Sequence, residues 1–225
     1  GTYSADHPLL ATIEQYIPSF LRSPKEAQTN ITTKEEAFAE FVDYSKEIDD
    51  NTILFGIPSL DRNLRILTKN VYSLLGSPGS GKTTWLLQVL ENTSQNDNKS
   101  IYFSFDMANS DTISKILTRH TGKSDEEIME NIKSNKIDEV IKYKQILSDK
   151  YKNVDFVFKP GLNIEDMENT IRMSDRMTGK QTKLIAVDYL SLIKSSAQEA
   201  NAKAIEAIQG LRYLSHSLNI AVIVL

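Results

Sequence analysis

VYSLLGSPGSGKTTWLLQVLEN, residues 71–92, decides the fold. It opens as an apolar β-rich run, passes through a glycine-rich turn and continues as a helical pattern. The turn, GSPGSGKT at 76–83, satisfies G-x-x-x-x-G-K-[ST] and stands between strand and helix, where that motif cradles phosphate. Gly76, Gly79 and Gly81 let the backbone turn tightly and come close to a polyphosphate. The loop also holds Ser77, Pro78 and Ser80. Its N–H groups, with those of the helix start that includes Thr84, are expected to face an anion. Lys82 supplies an ammonium for the β- and γ-phosphates, and the Thr83 hydroxyl is the expected magnesium ligand, so the stretch implies ATP and Mg2+. Trp85, on the helix with Leu86 and Val89, reads as core rather than as a nucleobase platform.

Downstream, β-rich runs at 101–105, 154–158, 184–187 and 220–225 alternate with helical stretches. Most carry consecutive apolar residues, as strands do when a parallel sheet is covered on both faces. The helical pattern at 164–177 has Asn163 as N-cap, Asp166 at its third position and Gly179 as a stop. Together these predict an α/β fold: a mainly parallel β-sheet flanked by helices. Upstream, residues 8–21 show near-helical spacing that Pro18 ends or kinks. Thr33 and Glu36 form a capping-box pattern that opens a second helix, with Phe38, Phe41, Val42 and Tyr44 as apolar contacts. The expected division is a helical segment over 1–55 and an ATPase domain over 56–225.

A phosphate loop of this kind needs a carboxylate to hold the metal through water. LIAVD, 184–188, is an apolar run ending in Asp188, 105 positions beyond Thr83, and supplies it. A second carboxylate, Asp106, ends IYFSFD at 101–106. It stands where a group that orients or deprotonates the attacking water is wanted, although taken alone it reads as a turn cap.

Composition narrows the field. The chain has 225 residues, 40% hydrophobic and 25% charged, which is ordinary for a globular protein. It has no Cys, which removes disulfides, thiolate metal sites and a cysteine nucleophile. No apolar run reaches the roughly 18 residues of a membrane span, so no membrane partner is expected. The net charge of −4 divides into −6 over residues 1–55 and +2 over 56–225. Neither part carries the broad basic field of a nucleic-acid-coating surface.

The three pieces in this order resemble the RecA-like ATPase domain of DnaB-family replicative DNA helicases. GIPSLDRNL at 56–64 resembles the family's lead-in to the loop strand, and FSFDM at 103–107 resembles its F-S-L-E-M. GLNIEDMENTIRMSDRM at 161–177 and LIAVDYLSLI at 184–193 resemble its G-L-T-x-x-E helix and I-D-Y-L-Q-L strand. AIEAIQGLRYLSHSLNIAVIVL at 204–225 resembles the helix and strand that follow. The D-Y-L-x-L-[IM] extension discriminates far better than the phosphate loop, which is generic.

Carried over, the resemblance implies Lys82 and Thr83 on phosphate and magnesium, Asp188 on magnesium, and Asp106 as catalytic carboxylate where the family has Glu. Asp reaches about 1.5 Å less far, a departure that matters for positioning water. The resemblance further implies a homo-hexameric ring on single-stranded DNA, ATP sites between subunits, a primase and a helicase loader as partners, and a cytoplasmic location in a bacterial cell or phage-infected host. Residues 8–22 resemble in position the family's linker helix. The family's γ-phosphate sensor, arginine finger and DNA loops are expected beyond Leu225, where the pattern breaks off as if truncated.

Within the chain, the polar stretch 194–203 lies where such motors place lumen loops. Lys194 and Lys203 are candidate phosphate contacts there, but without an aromatic residue the stretch reads as a solvated loop. The lysines between 133 and 152 read as a solvated helix face, and His7, His120 and His216 as isolated. Two alternatives stand beside the motor. One is a RecA-, RadA- or KaiC-like scaffold or nucleotide switch; the other is a nucleotide-binding module with weak hydrolysis.

Overall fold

The computed structural model describes residues 32–48, 50–195 and 197–225, so the helix expected over 8–21 lies outside the described residues. The chain divides into two units, residues 1–47 and 48–225. In the first, helix α1 (Lys34–Glu47) starts with the expected capping box. The Glu36 N–H donates to Thr33 Oγ1 (3.2 Å) and the Thr33 N–H to Glu36 Oε2 (2.8 Å). The Thr33 N–H and the Thr33 hydroxyl, both donating to Oε2, hold the Glu36 carboxyl below its ordinary range. Phe38 and Phe41, expected to make apolar contacts, are 66% and 62% exposed, with ring centroids 6.5 Å apart.

The second unit begins with two short strands, β1 (Thr52–Ile53) and β2 (Ile66–Leu67), around a turn of helix α2 (Pro58–Asp61). There follow β3 (Val71–Ser73), α3 (Lys82–Gln95), β4 (Lys99–Ser104), α4 (Asn109–Thr121), α5 (Asp125–Lys133), α6 (Ile137–Lys150) and β5 (Val154–Val157). The chain ends with α7 (Ile164–Thr178), β6 (Thr182–Asp188), a 3-10 turn at Leu190–Leu192, α8 (Ala200–Ser217) and β7 (Ala221–Val224). All five expected runs are strands. β3 to β7 form one parallel sheet in the order β3-β7-β6-β4-β5, while β1 and β2 pair antiparallel on their own.

The register explains why the strand sequences are apolar at consecutive positions. Tyr102 pairs with Ala186, and Ala186 with Ile223. These residues share the face that buries Leu86, Leu87, Val89 and Leu90 of α3. Their alternates, Ile101, Phe103, Ile185, Val187 and Val222, face Met167 and Ile171 of α7 and Leu211 and Leu214 of α8. Both faces are therefore dry, each buried aliphatic side chain contributing about 1.5–3 kcal/mol. Trp85 joins the α3 side as read, its ring 5.8 Å from that of Phe55.

Helix α7 carries the predicted signals in full: Asn163 and Asp166 form a reciprocal capping box, and Gly179 closes the helix at φ 67°. Gly210 of α8 is there for space, because a Cβ would sit 2.4 Å from Ile164 Cγ1 of α7. The stretch 194–203 is only partly a loop: α8 already includes Ala200 to Lys203, where alanine-rich sequence favours helix over the coil its polarity suggested. Between β4 and β5 three helices carry a small cluster of their own, Leu117, Ile128 and Tyr143. No helix among the described residues is long and apolar enough to cross a membrane.

Candidate active site

Ligands of open α/β sheets lie outside the carboxyl ends of the strands, and the phosphate-loop residues, Asp106 and Asp188 gather there, whereas Lys194 and Lys203 are not among the residues lining the cleft. Between β3 and α3 the loop 76–83 turns at Gly79 (φ 77°) and Gly81 (φ 88°), left-handed backbone that only glycine adopts without strain. The first bond of the α3 ladder runs from Trp85 N to Gly81 O (2.9 Å), so the N–H groups of Lys82, Thr83 and Thr84 have no acceptor within the helix. Lys82 lies folded on its own loop, Nζ donating to the carbonyls of Gly76 (2.9 Å) and Ser77 (3.0 Å). Ser77 O also accepts the Ser80 N–H (3.2 Å), which draws the loop into a cup.

Asp188 is the last residue of β6 and 6% exposed. Because it alternates with Ala186 and Leu184, it falls on the α3 face of the sheet, within reach of the start of that helix. The Thr83 hydroxyl donates to Asp188 Oδ2 across 2.9 Å, joining the two motifs. A second donor reaches the same oxygen: the hydroxyl of Tyr102, on neighbouring β4, at 3.0 Å. Burial, with the Asp188 carboxylate beside it, raises the Tyr102 phenol far above its ordinary pKa, so it remains a donor. Asp106 follows β4 and stands exposed at the mouth.

These groups line one cleft of about 610 Å³, which Pro78, Gly79, Gly81, Lys82, Thr83, Thr84, Asp106 and Asp188 share with Lys115, Tyr189 and Leu225. Gly76, Ser77 and Ser80 shape the loop behind it. Lys115, Tyr102 and Leu225 were not singled out from the sequence. Lys115 belongs to no motif, and Tyr102 reads as one more core aromatic in an apolar strand. Helix α4, which carries Lys115, is pinned to α3 by a partly buried network. Arg119 and His120 both contact Glu91 of α3, and Arg119 donates to the Tyr151 hydroxyl at 3.0 Å. His120 is thus not isolated. Burial, with Arg119 and Lys150 close by, holds its pKa below the ordinary value. A separate hollow of about 500 Å³, lined by Arg172, Arg176 and Gln181 among others, contains none of the motif residues.

The oxygens of Thr83 and Asp188 suit a hard cation. Among the described residues no three His, Cys, Asp or Glu side chains converge on a metal position. A magnesium ion held by one or two protein oxygens and by substrate phosphates requires no such cage.

Fold and site together define a RecA-like P-loop nucleotide-binding domain, its phosphate loop and strand-end carboxylate separated by a single strand, β7. The chain belongs to the DnaB-like helicase C-terminal domain family, which matches residues 53–225. Among solved structures it resembles one described as an ATPase domain, with a TM-score of 0.69 at 18% identity over 87% of this chain and 71% of that one. It resembles equally a DnaB-like replicative helicase described with its interactions with primase, at 0.69 and 19% identity over 87% of this chain and 48% of that one. At such identity the likeness is one of fold. No curated protein sequence matches the chain.

Proposed function

We propose that this domain is the ATP-hydrolysing motor of a replicative DNA helicase. The observation that carries the reading is the Thr83–Asp188 hydrogen bond of 2.9 Å, which brings residues 105 positions apart to one cleft with Lys82 and Asp106. In this reading the loop N–H groups and the α3 N-terminus bind the phosphates. Lys82 turns from its loop carbonyls to the β- and γ-phosphates. Thr83 and Asp188 would hold Mg2+, which when bound would neutralise charge on the phosphate oxygens. Asp106, at the mouth, accepts the proton of the attacking water or orients it. Family membership supports the further reading of a homo-hexameric ring that moves on single-stranded DNA, with a primase and a loader as proposed partners.

ATP turnover measured with and without single-stranded DNA tests the proposal. Stimulation by DNA supports the motor, and a rate indifferent to DNA supports a nucleotide switch. One observation favours a second reading, a nucleotide-binding module with weak hydrolysis: the shorter Asp106 where the family has Glu. Tight binding of ATP without turnover would select it.

A further inference from the structure

Among the described residues, the Tyr102 hydroxyl makes a site contact that neither the phosphate loop nor the strand-end carboxylate motif contains. In the parallel register Tyr102 lies beside Ala186, and it is Ser104 that lies beside Asp188. The Ser104 hydroxyl nevertheless donates to Met107 O at 3.1 Å rather than to Asp188, and it lies beside the Tyr102 phenol. Tyr102 instead reaches diagonally, two residues along the neighbouring strand, a distance that long side chains span. Its ring is fully buried and set edge-on against Phe156 and Phe158, with centroids 6.0 and 6.5 Å away. Those two rings are stacked on each other at 5°. The hydroxyl is therefore delivered by a fixed lever of three aromatic rings rather than by a mobile side chain.

A carboxylate oxygen accepts through two lone pairs. On Asp188 Oδ2 both have a donor, Thr83 at 2.9 Å and Tyr102 at 3.0 Å. Two donors on one oxygen fix the rotation of the carboxylate and leave Oδ1 as the oxygen free to face the cleft. Thr83 alone would leave the group free to swing about its bond to Cβ.

We propose that Tyr102 is a positioning residue for the metal side of the site: by holding Oδ2, it presents Asp188 Oδ1 to the water shell of the nucleotide's magnesium. The inference rests on the reading of Asp188 given above. It assigns Tyr102 no contact with nucleotide or reacting atoms. It also predicts a division that a merely structural tyrosine would not show. Binding of nucleotide without metal depends on the loop and on Lys82, and is independent of the hydroxyl. The gain in affinity on adding magnesium depends on it.

The test is binding of a fluorescent ATP analogue to the full chain, titrated in EDTA and across a magnesium series, for wild type and Tyr102→Phe. The variant keeps the ring and its packing and lacks only the donor. The factor by which magnesium tightens binding is expected to fall by roughly tenfold, as for loss of a partner behind a metal ligand. Affinity in EDTA is expected to stay at the wild-type value. Tyr102→Met, which also lacks the donor, takes the same measurement should the Phe variant not fold. A folded variant of either kind with wild-type magnesium dependence overturns the inference alone. A wild-type chain whose affinity ignores magnesium overturns it together with the reading of Asp188.

Discussion

Strands β4 and β6 end in a buried polar cluster at both extremities, and the two clusters differ in one respect. At the amino ends Lys99, 3% exposed, donates to Thr178 Oγ1 (2.7 Å) and Asp175 Oδ1 (3.2 Å) and lies 3.6 Å from Asp155. Asp175 Oδ1 also accepts the Thr182 N–H and hydroxyl at 3.0 and 2.6 Å. Charge there is paired and capped. At the carboxyl ends Asp188 takes two donors on one oxygen and faces an open cleft. The same strands thus carry one polar cluster closed within the fold and one that opens on the cleft. Buried polar groups left open to a cavity mark the site better than polarity or burial alone.

Five substitutions, the last of them followed by a pH titration, try that contrast. The largest effect should fall at the closed end. Lys99→Met removes a buried cation and its hydrogen bonds from the partly exposed Asp155 and Asp175 and should cost about 3 kcal/mol of folding free energy, the upper end for bonds made by a charged group. Denaturant unfolding measures it, and nucleotide affinity of the folded fraction should not change. Asp106→Asn should do the reverse, lowering ATP turnover by about 100-fold, roughly 2.7 kcal/mol of barrier. Its ATP affinity and melting temperature should stay at wild-type values, and unchanged turnover would remove Asp106 from the mechanism.

Gly210→Ala tests the packing behind the sheet and should destabilise by about 1–3 kcal/mol, since the added methyl meets Ile164. Lys115→Ala should weaken ATP binding by about tenfold, the scale of one charge-assisted contact, with little effect on melting. Equilibrium binding of a fluorescent ATP analogue decides that case. The smallest effect concerns acid. His120 has a folded pKa below its ordinary 6.5. Its contribution to stability is therefore complete above that value and is lost as the pH falls toward the depressed one. Melting followed from pH 7 to pH 5 should decline less steeply in His120→Gln than in the wild type.

What the sequence disclosed, and what it withheld, follows the same contrast. The five strands were legible because strands covered on both faces are apolar at consecutive positions, and the loop 76–83 because glycine and lysine spacing is set by phosphate itself. Asp188 was legible from its place at the end of LIAVD. Tyr102 was not, since its hydroxyl matters only through a diagonal between strands that register alone defines. Lys115 was not either. Its approach to the cleft depends on how α4 is pinned by Arg119 and His120 to Glu91, and those contacts are long-range. Helices α4 and α5 escaped separate notice although both are clearly amphipathic, because neither carries a motif that drew attention to it.

The position of β7 sets an order of assembly. Among the described strands β3 pairs with β7 alone, and β7 is the last of them in the chain. A ribosome therefore releases the phosphate loop long before its strand has a neighbour in the sheet. Until residues 221–224 slide between β3 and β6, the sheet offers Thr83 and Asp188 no shared frame. Joining of the two motifs thus waits for β7, and on a nascent chain ATP binding should report its insertion.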